Sequence, residues 1–150
     1  MADSHPERGG PHGLAIQGES AFIYDCPAGA ASLTQVELLS GAQTIVANLT
    51  SPSGCAVGGN FVYVVERGSI DGQLVRVNLV AARGRKEIIV DKLAGPMGVA
   101  VDGYSGYVCV EERHKNPVRR VSLSNGKVNV FATGLKSPIG LAVVEHGDME

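Results

Sequence analysis

The sequence predicts an all-β fold made of repeated four-stranded units. A six-residue phrase, Pro-x-Gly-apolar-Ala-apolar, occurs four times at spacings of 41, 44 and 42 residues. Short apolar or alternating segments, separated by glycine-containing turns, follow the first three copies, and no segment of helical period interrupts them. A repeat of this length with strand-rich content indicates a β-propeller, here an arc of about three blades and one extra inner strand. The copies begin at Pro11, Pro52, Pro96 and Pro138.

The phrase itself predicts the innermost strand of each blade. Its apolar run is short and ends on a β-branched residue, which is typical of a strand buried on both faces. The leading proline cannot donate a ladder hydrogen bond, so it belongs at the first residue of the strand. An alanine recurs at one position, which favours a crowded site near the axis where blades converge. We therefore expect Ala15, Ala56 and Ala100 to be core residues.

A second strand follows each inner strand, and an acid follows its apolar residues. These acids are Asp25, Glu66 and Glu111, which lie 9, 9 and 10 residues beyond the end of the phrase. Because the second strand returns to the end at which the first began, the acids should lie near the channel mouth. One interpretation is a ring of carboxylates that binds a cation or a cationic partner. The alternative is that each acid accepts backbone N–H bonds from the following loop.

The rest of each repeat predicts two outer strands. The third strand alternates polar and apolar residues, as expected for one solvated face, and the outermost carries charges at its ends. Between them in the third repeat, Ser124-Asn125-Gly126 is a strong hairpin signal. The expected organisation is a disordered tail at 1–10, a partial propeller over 11–150 with blades at about 11–50, 51–94 and 95–136, and a lone strand at 137–144.

Composition narrows the class of partner. The 150 residues carry a net charge of −2, which gives no electrostatic reason to expect nucleic acid or an anionic membrane. The first ten residues contain no apolar segment of a signal peptide, and no run approaches the length of a membrane span. The chain has an odd number of cysteines, namely Cys26, Cys55 and Cys109. The last two lie in segments with a strand pattern, and we expect them to be free thiols. We therefore expect a cytoplasmic protein.

The second and third repeats resemble the NHL and regucalcin/gluconolactonase class of six-bladed propellers. The resemblance is carried by the stretches Ser51–Val57, Val62–Glu66 and Arg76–Leu79, and by 95–102 and 120–123 in the next repeat. It implies the propeller fold. It does not imply one activity, because this class includes lactonases, lyases and many binding scaffolds.

The resemblance also locates a candidate metal site. In the lactonases, Asn or Asp between the proline and the glycine ligates a divalent metal in the central funnel. This chain has His12, Ser53, Met97 and Ile139 there, and of these only His12 is a weak candidate ligand. A lone histidine is far more often a surface residue. We therefore expect no metal cofactor, with Ca²⁺ or Zn²⁺ as the alternative.

These observations favour a non-catalytic scaffold for a protein or small-molecule ligand, and we expect the chain to be a fragment of a larger propeller. The candidate ligand-binding residues are Asp25, Glu66 and Glu111. The alternative is part of a metal-dependent lactonase or lyase of the regucalcin/gluconolactonase type. An arc of three blades also leaves two blade faces bare, so self-association through open faces is expected.

Overall fold

The computed structural model describes residues 11–25, 30–68, 71–80, 82–110, 117–135, 138 and 140–143. The predicted tail at 1–10 lies outside these ranges. Within them, twelve strands form three four-stranded antiparallel sheets, each from four consecutive strands. These sheets are the three predicted blades. No helix in the described ranges is long and apolar enough to cross a membrane.

Each blade is a meander in which every strand pairs with the next along the chain. Blade 1 contains β1 (Pro11–Gln17), β2 (Ser20–Asp25), β3 (Ala31–Glu37) and β4 (Gln43–Leu49). Blade 2 contains β5 (Pro52–Gly58), β6 (Phe61–Glu66), β7 (Gly72–Asn78) and β8 (Lys86–Leu93). Blade 3 contains β9 (Pro96–Val101), β10 (Ser105–Val110), β11 (Val118–Ser122) and β12 (Val128–Ala132).

The repeated phrase forms the inner strand of each blade, as predicted. Strand β5 packs against both β1 and β9, so the three inner strands stand side by side. The inner strands of blades 2 and 3 come into close contact at the glycine of the phrase. A methyl group on Gly54 would lie only 2.9 Å from the Cα atom of Gly98. A side chain at Gly54 would therefore force blades 2 and 3 apart, whereas one at Gly13 would instead meet the Tyr24 ring of its own blade.

Two apolar layers hold the blades together. The first lies between blades 1 and 2 and includes Phe22 and Leu33 from one side and Val64 and Val75 from the other. The second lies between blades 2 and 3 and repeats the arrangement. Because each blade contacts only its neighbours, the fold is a one-dimensional stack in which each interface contributes separately to stability.

The expected core alanines differ in burial. Ala100, in the last inner strand, is buried, whereas Ala15 and Ala56 are only half-buried. The fourth copy of the phrase was expected to form a lone strand at 137–144. Its described residues, 138 and 140–143, form no strand. No hairpin partner follows them in the described ranges, and a strand without a partner leaves its backbone groups unpaired.

Candidate functional site

The residue between the proline and the glycine of the phrase lies at a β-bulge in all three blades. This is the position at which the lactonases hold a metal. The pairing register skips His12, Ser53 and Met97, so each is an extra residue between the proline and the glycine. Bulges of this kind re-aim a side chain. The Ser53 hydroxyl donates a hydrogen bond to the Pro96 carbonyl oxygen at 2.7 Å, which ties blade 2 to blade 3. Ser53 thus has a structural partner.

His12, the weak metal candidate, lies in β1, but its side chain is outside the part of the structure that can be described. Ile139 is also outside it. Within the described residues, no group of three or more His, Cys, Asp or Glu side chains could hold a metal ion. The prediction of His12 as a ligand therefore stays a prediction.

The Pro-x-Gly ends of the inner strands converge on one small cavity of about 190 Å³. All four copies of the phrase contribute to its wall, including the described part of the fourth. The cavity therefore marks the axis of the arc. Its wall includes Gly13, Gly54, Gly98 and Gly140.

Glu66 is the more buried of the two predicted acids that the structure describes, with 2% of its surface exposed. Its Oε2 atom accepts the Thr50 backbone N–H at 2.7 Å, and the Lys86 ammonium lies 2.9 Å from the same oxygen. Its Oε1 atom accepts the Gln73 side-chain amide at 2.8 Å. A buried carboxylate requires partners of this kind, because an unpaired charge in the interior is very costly. Both oxygens are therefore used inside the fold. The backbone N–H among these donors belongs to Thr50, which precedes blade 2, and not to the following loop as the second interpretation expected.

Asp25 takes the corresponding position in blade 1. It pairs with Pro11 as Glu66 pairs with Pro52, so both acids lie at the Pro-x-Gly end of their blades, as the strand order predicts. Asp25 is half-buried, and its Oδ1 atom is buried without a hydrogen-bond partner among the described residues. This oxygen differs from those of Glu66 in having no assigned structural role.

Glu111 lies outside the described residues. The pairing register of blade 3 sets Val110, and not Glu111, opposite Pro96. Val110 is therefore the counterpart of Asp25 and Glu66, and it is buried in the apolar layer against blade 2. The spacing of ten residues, instead of nine, was the signal of this shift. The described blades thus present two acids and one valine at this position.

A larger cleft, of about 390 Å³, lies at the opposite ends of the inner strands, where each turns into the second strand. All three blades contribute to it. Gln17 comes from blade 1, Asn60 and Tyr63 come from blade 2, and Asp102 comes from blade 3. The Gln17 side-chain amide donates to the Gly59 carbonyl oxygen at 2.8 Å, which joins two of the walls. Sequence reasoning missed this cleft because its polar residues lie in turns that differ between repeats.

Asp102 is held by its own turn. Its Oδ1 atom accepts the backbone N–H groups of Tyr104, at 3.0 Å, and Ser105, at 2.8 Å. Its Oδ2 atom accepts the Tyr107 hydroxyl at 3.3 Å. Partial burial acts to raise the pKa of Asp102, but these hydrogen bonds together outweigh it and lower the pKa below its ordinary value. The cleft therefore contains a fixed carboxylate that is ionised at neutral pH.

The aromatic side of the cleft is also fixed. The Arg76 guanidinium lies 4.5 Å from the centre of the Phe61 ring and 2.9 Å from a Glu87 oxygen. Burial raises the pKa of the neighbouring Tyr63, although the charge of Arg76 acts in the opposite direction. Tyr63 is therefore a neutral hydroxyl at physiological pH. The cleft combines an anionic wall with an aromatic one.

The two described cysteines are free thiols. Burial raises the pKa of Cys55 to about 12 and also raises that of Cys109. Since the thiolate is the nucleophile, burial disfavours the reactive form of both side chains. Their role is to fill space within the blades.

No family model and no curated protein matches the sequence. Solved structures do match. The chain is similar to a propeller in a nidogen/laminin complex, with a TM-score of 0.75 and 18% identity over 88% of this chain and 52% of that one. It is also similar to a gluconolactonase from Xanthomonas campestris, with a TM-score of 0.71 and 15% identity over 93% of this chain and 52% of that one.

A third match is a TolB protein from Acinetobacter baumannii, with a TM-score of 0.59 and 18% identity over 83% of this chain and 32% of that one. At most about half of each of these chains is therefore spanned. These proteins have different functions, and at such low identity the likeness concerns the fold alone. The chain is a partial β-propeller that shares its fold with these proteins.

Proposed function

We propose that this chain is a non-catalytic propeller scaffold that binds a small ligand in the cleft at the turn end of its inner strands. The observation that carries the proposal is the cleft's construction from all three blades around the fixed carboxylate of Asp102. Its volume of about 390 Å³ falls in the usual range for small-molecule sites.

The chemistry of the wall indicates the ligand class. Among the described residues that line the cleft, Asp102 is the only charged one. Gln17 and Asn60 offer amides, and Phe61 and Tyr63 offer apolar surface. A carboxylate beside aromatic rings suits a ligand that has both a cationic or hydrogen-bond-donating group and an apolar body. We therefore expect an organic amine to bind better than a neutral or anionic analogue.

At the Pro-x-Gly end of the inner strands, polar side chains of blade 2 are already bonded within the protein, which supports a scaffold over an enzyme. The Ser53 hydroxyl and both Glu66 oxygens are bonded within the protein, and Val110 replaces an acid in blade 3. The alternative of a metal-dependent lactonase or lyase is favoured by one feature. The buried Oδ1 atom of Asp25, without a partner among the described residues, is an oxygen that a cation could use.

A titration with three matched probes tests the proposed site. Benzylamine, benzyl alcohol and benzoate have the same ring and differ in charge. We expect benzylamine to shift the amide resonances of Gly59 and Gly103 at lower concentration than benzyl alcohol, and benzoate to have the weakest effect. Asp102→Asn, which retains an oxygen acceptor in the turn, should remove the preference for the amine. Equal responses to all three probes would refute an anionic site.

A second measurement separates the scaffold from the enzyme. The chain is assayed for gluconolactone hydrolysis with Ca²⁺ and with Zn²⁺. We expect no rate above that of the metal ion alone. A rate above that background that disappears in Asp25→Asn would establish the lactonase alternative.

A further inference from the structure

The interface between neighbouring blades contains a contact that repeats along the chain. It joins a glycine in the turn between the third and fourth strands of one blade to a backbone carbonyl of the preceding blade. Gly84 has a φ of 88°, and a methyl group there would overlap the Val46 carbonyl oxygen. Gly126 has a φ of 76°, and a methyl group there would lie 2.6 Å from the Ile89 carbonyl oxygen. Only glycine satisfies both the conformation and the close approach.

In both interfaces, the carbonyl in this contact belongs to a residue at a β-bulge. Val46 is the extra residue at a β-bulge in the outer strand of blade 1. Ile89 is the extra residue at a bulge in the outer strand of blade 2. A bulge tilts the local backbone out of the ladder, so its carbonyl can face the next blade. Each interface thus joins a bulge on one blade to a turn glycine on the next.

Blade 1 carries the glycine half of this contact, and blade 3 carries the bulge half. The turn of blade 1 has Gly41 at the corresponding position, with a φ of 75° and no atom within 4 Å of the site of a methyl group. The outer strand of blade 3 has a bulge at Phe131, whose side chain is 56% exposed. The two ends of the arc are therefore complementary to each other, because one offers the glycine and the other offers the bulge.

The face of blade 1 that points away from blade 2 supplies apolar surface for the same interface. Leu14 and Ile16 in β1 are 59% and 57% exposed. Their counterparts in β5, Cys55 and Val57, pack against the apolar layer between blades 1 and 2. Blade 1 therefore displays on its surface the positions that an inner strand normally uses for packing between blades.

We propose that two copies of this chain associate head to tail, with blade 3 of each copy packed on blade 1 of the other. The contact would reproduce the two blade interfaces within the chain, including the meeting of Gly41 with the bulge at Phe131. The chain spans about half the length of two propellers whose fold it shares, so two arcs supply about the length of one ring. Head-to-tail contacts of this kind either close or polymerise, and two half-rings close with two equal interfaces.

The fourth copy of the phrase lies where the inner strand of the second chain would have to pack. Gly140 and Leu141 line the axial cavity beside Met97 and Gly98 of β9. The inner strand of an incoming blade 1 needs the place next to β9. The segment must therefore move when the copies pair, and the amide resonances of residues 140–143 should shift as the protein concentration rises.

Sedimentation velocity over a wide range of micromolar concentration, with a matched pair of variants, tests the proposal on the full chain. Gly41→Asn places a side chain in the proposed contact. Gly18→Asn is the control, because Gly18 also has a positive φ, 62°, and no atom within 4 Å of its methyl site. Asparagine tolerates this conformation better than other side chains. Circular dichroism of both variants confirms that the blades remain folded.

We expect a species of twice the chain mass that dissociates on dilution. Gly41→Asn should weaken the pairing by about tenfold or more, as loss of a close backbone approach predicts, while Gly18→Asn should leave it within about twofold. A monomer at every concentration, or equal weakening by both variants, would overturn the proposal. Continuous growth into larger polymers would show that the two arcs do not close a ring.

Discussion

The carboxylate of Glu66 accepts the backbone N–H of Thr50 at 2.7 Å, across the junction between two blades. Thr50 follows the last strand of blade 1, and Glu66 ends the second strand of blade 2. Side-chain bonds from Gln73 and Lys86 complete the shell of this buried acid. The side chain therefore fixes the position at which the chain leaves one blade and enters the next.

Glu66→Gln should destabilise the protein by about 1–3 kcal/mol, because the buried N–H and ammonium lose a charged acceptor. The measurement is equilibrium urea unfolding. Glu87→Gln is the matched control, since the Glu87 side chain is 41% exposed and also pairs with a cation. It should cost less than about 1 kcal/mol. Equal costs for the two variants would show that the Glu66 cluster contributes no more than a surface pair.

Gly84→Ala should cost more than Gly18→Ala, although both residues have a positive φ. Both substitutions carry the conformational penalty of about 1–2 kcal/mol. Gly84→Ala additionally forces a methyl group against the Val46 carbonyl, whereas the site at Gly18 is open. Thermal unfolding should therefore give a lower midpoint for Gly84→Ala. If the two midpoints agree, the blades do not approach at this turn.

Ser51→Gly should stabilise the protein by about 0.5–1 kcal/mol. Ser51 has a φ of 45°, a conformation that is costly for a residue with a side chain. Gly95, at the same position before the next phrase, has a φ of 56° and no such cost. The gain in the folded state is partly offset by the greater freedom of glycine in the unfolded chain. A loss of stability in urea unfolding would mean that Ser51 does not hold this backbone conformation.

Ala100→Leu should destabilise the protein by about 1–3 kcal/mol by overpacking the inner strand layer. Ala100 is 6% exposed, whereas Ala15, at the same position in blade 1, is half-buried. Ala15→Leu should therefore cost less. The comparison is made by urea unfolding of both variants. Equal costs at both positions would show that the burial of Ala100 does not limit the room for a larger side chain.

Acid should release the turn that Asp102 holds. Its folded pKa is lower than its unfolded pKa, so its contribution to stability is present above the unfolded pKa and is lost as pH falls through the folded one. The measurement is a carbon-detected NMR titration of the Asp102 carboxyl group. A midpoint below the ordinary value for aspartate is expected. A midpoint at or above that value would contradict the hydrogen bonds from Tyr104 and Ser105.

The sequence predicted the blades well because the signals that define them are local. Proline at the start of the inner strand, alternation in the third strand and glycine in the turns are each set by backbone geometry. The acid in blade 3 was wrongly aligned because Glu111 is one residue beyond the register that Val110 occupies. The acids at the ends of the second strands were therefore not enough to infer a ring, because the register differs by one residue between the blades.

The cleft and the bulge–glycine contact could not be predicted for a different reason. Both depend on residues from different blades, such as Gln17 with Asp102 and Gly84 with Val46. The repeat pattern fixes each blade but not the distance between blades. The recurrence of glycine at Gly41, Gly84 and Gly126 was visible in the sequence. The partners of Gly84 and Gly126 on the preceding blade became evident only from the packed arc.

The most direct test of the stacked arc is the nuclear Overhauser effect between the Hα protons of Gly54 and Gly98. These residues belong to different blades, and the inner strands bring their backbones into contact. A strong cross-peak between the two glycines is predicted, together with cross-peaks from Val64 to Phe22 across the other interface. If cross-peaks within each blade are present but the one between Gly54 and Gly98 is missing, the blades do not pack around a common axis, and the account of a propeller arc is wrong.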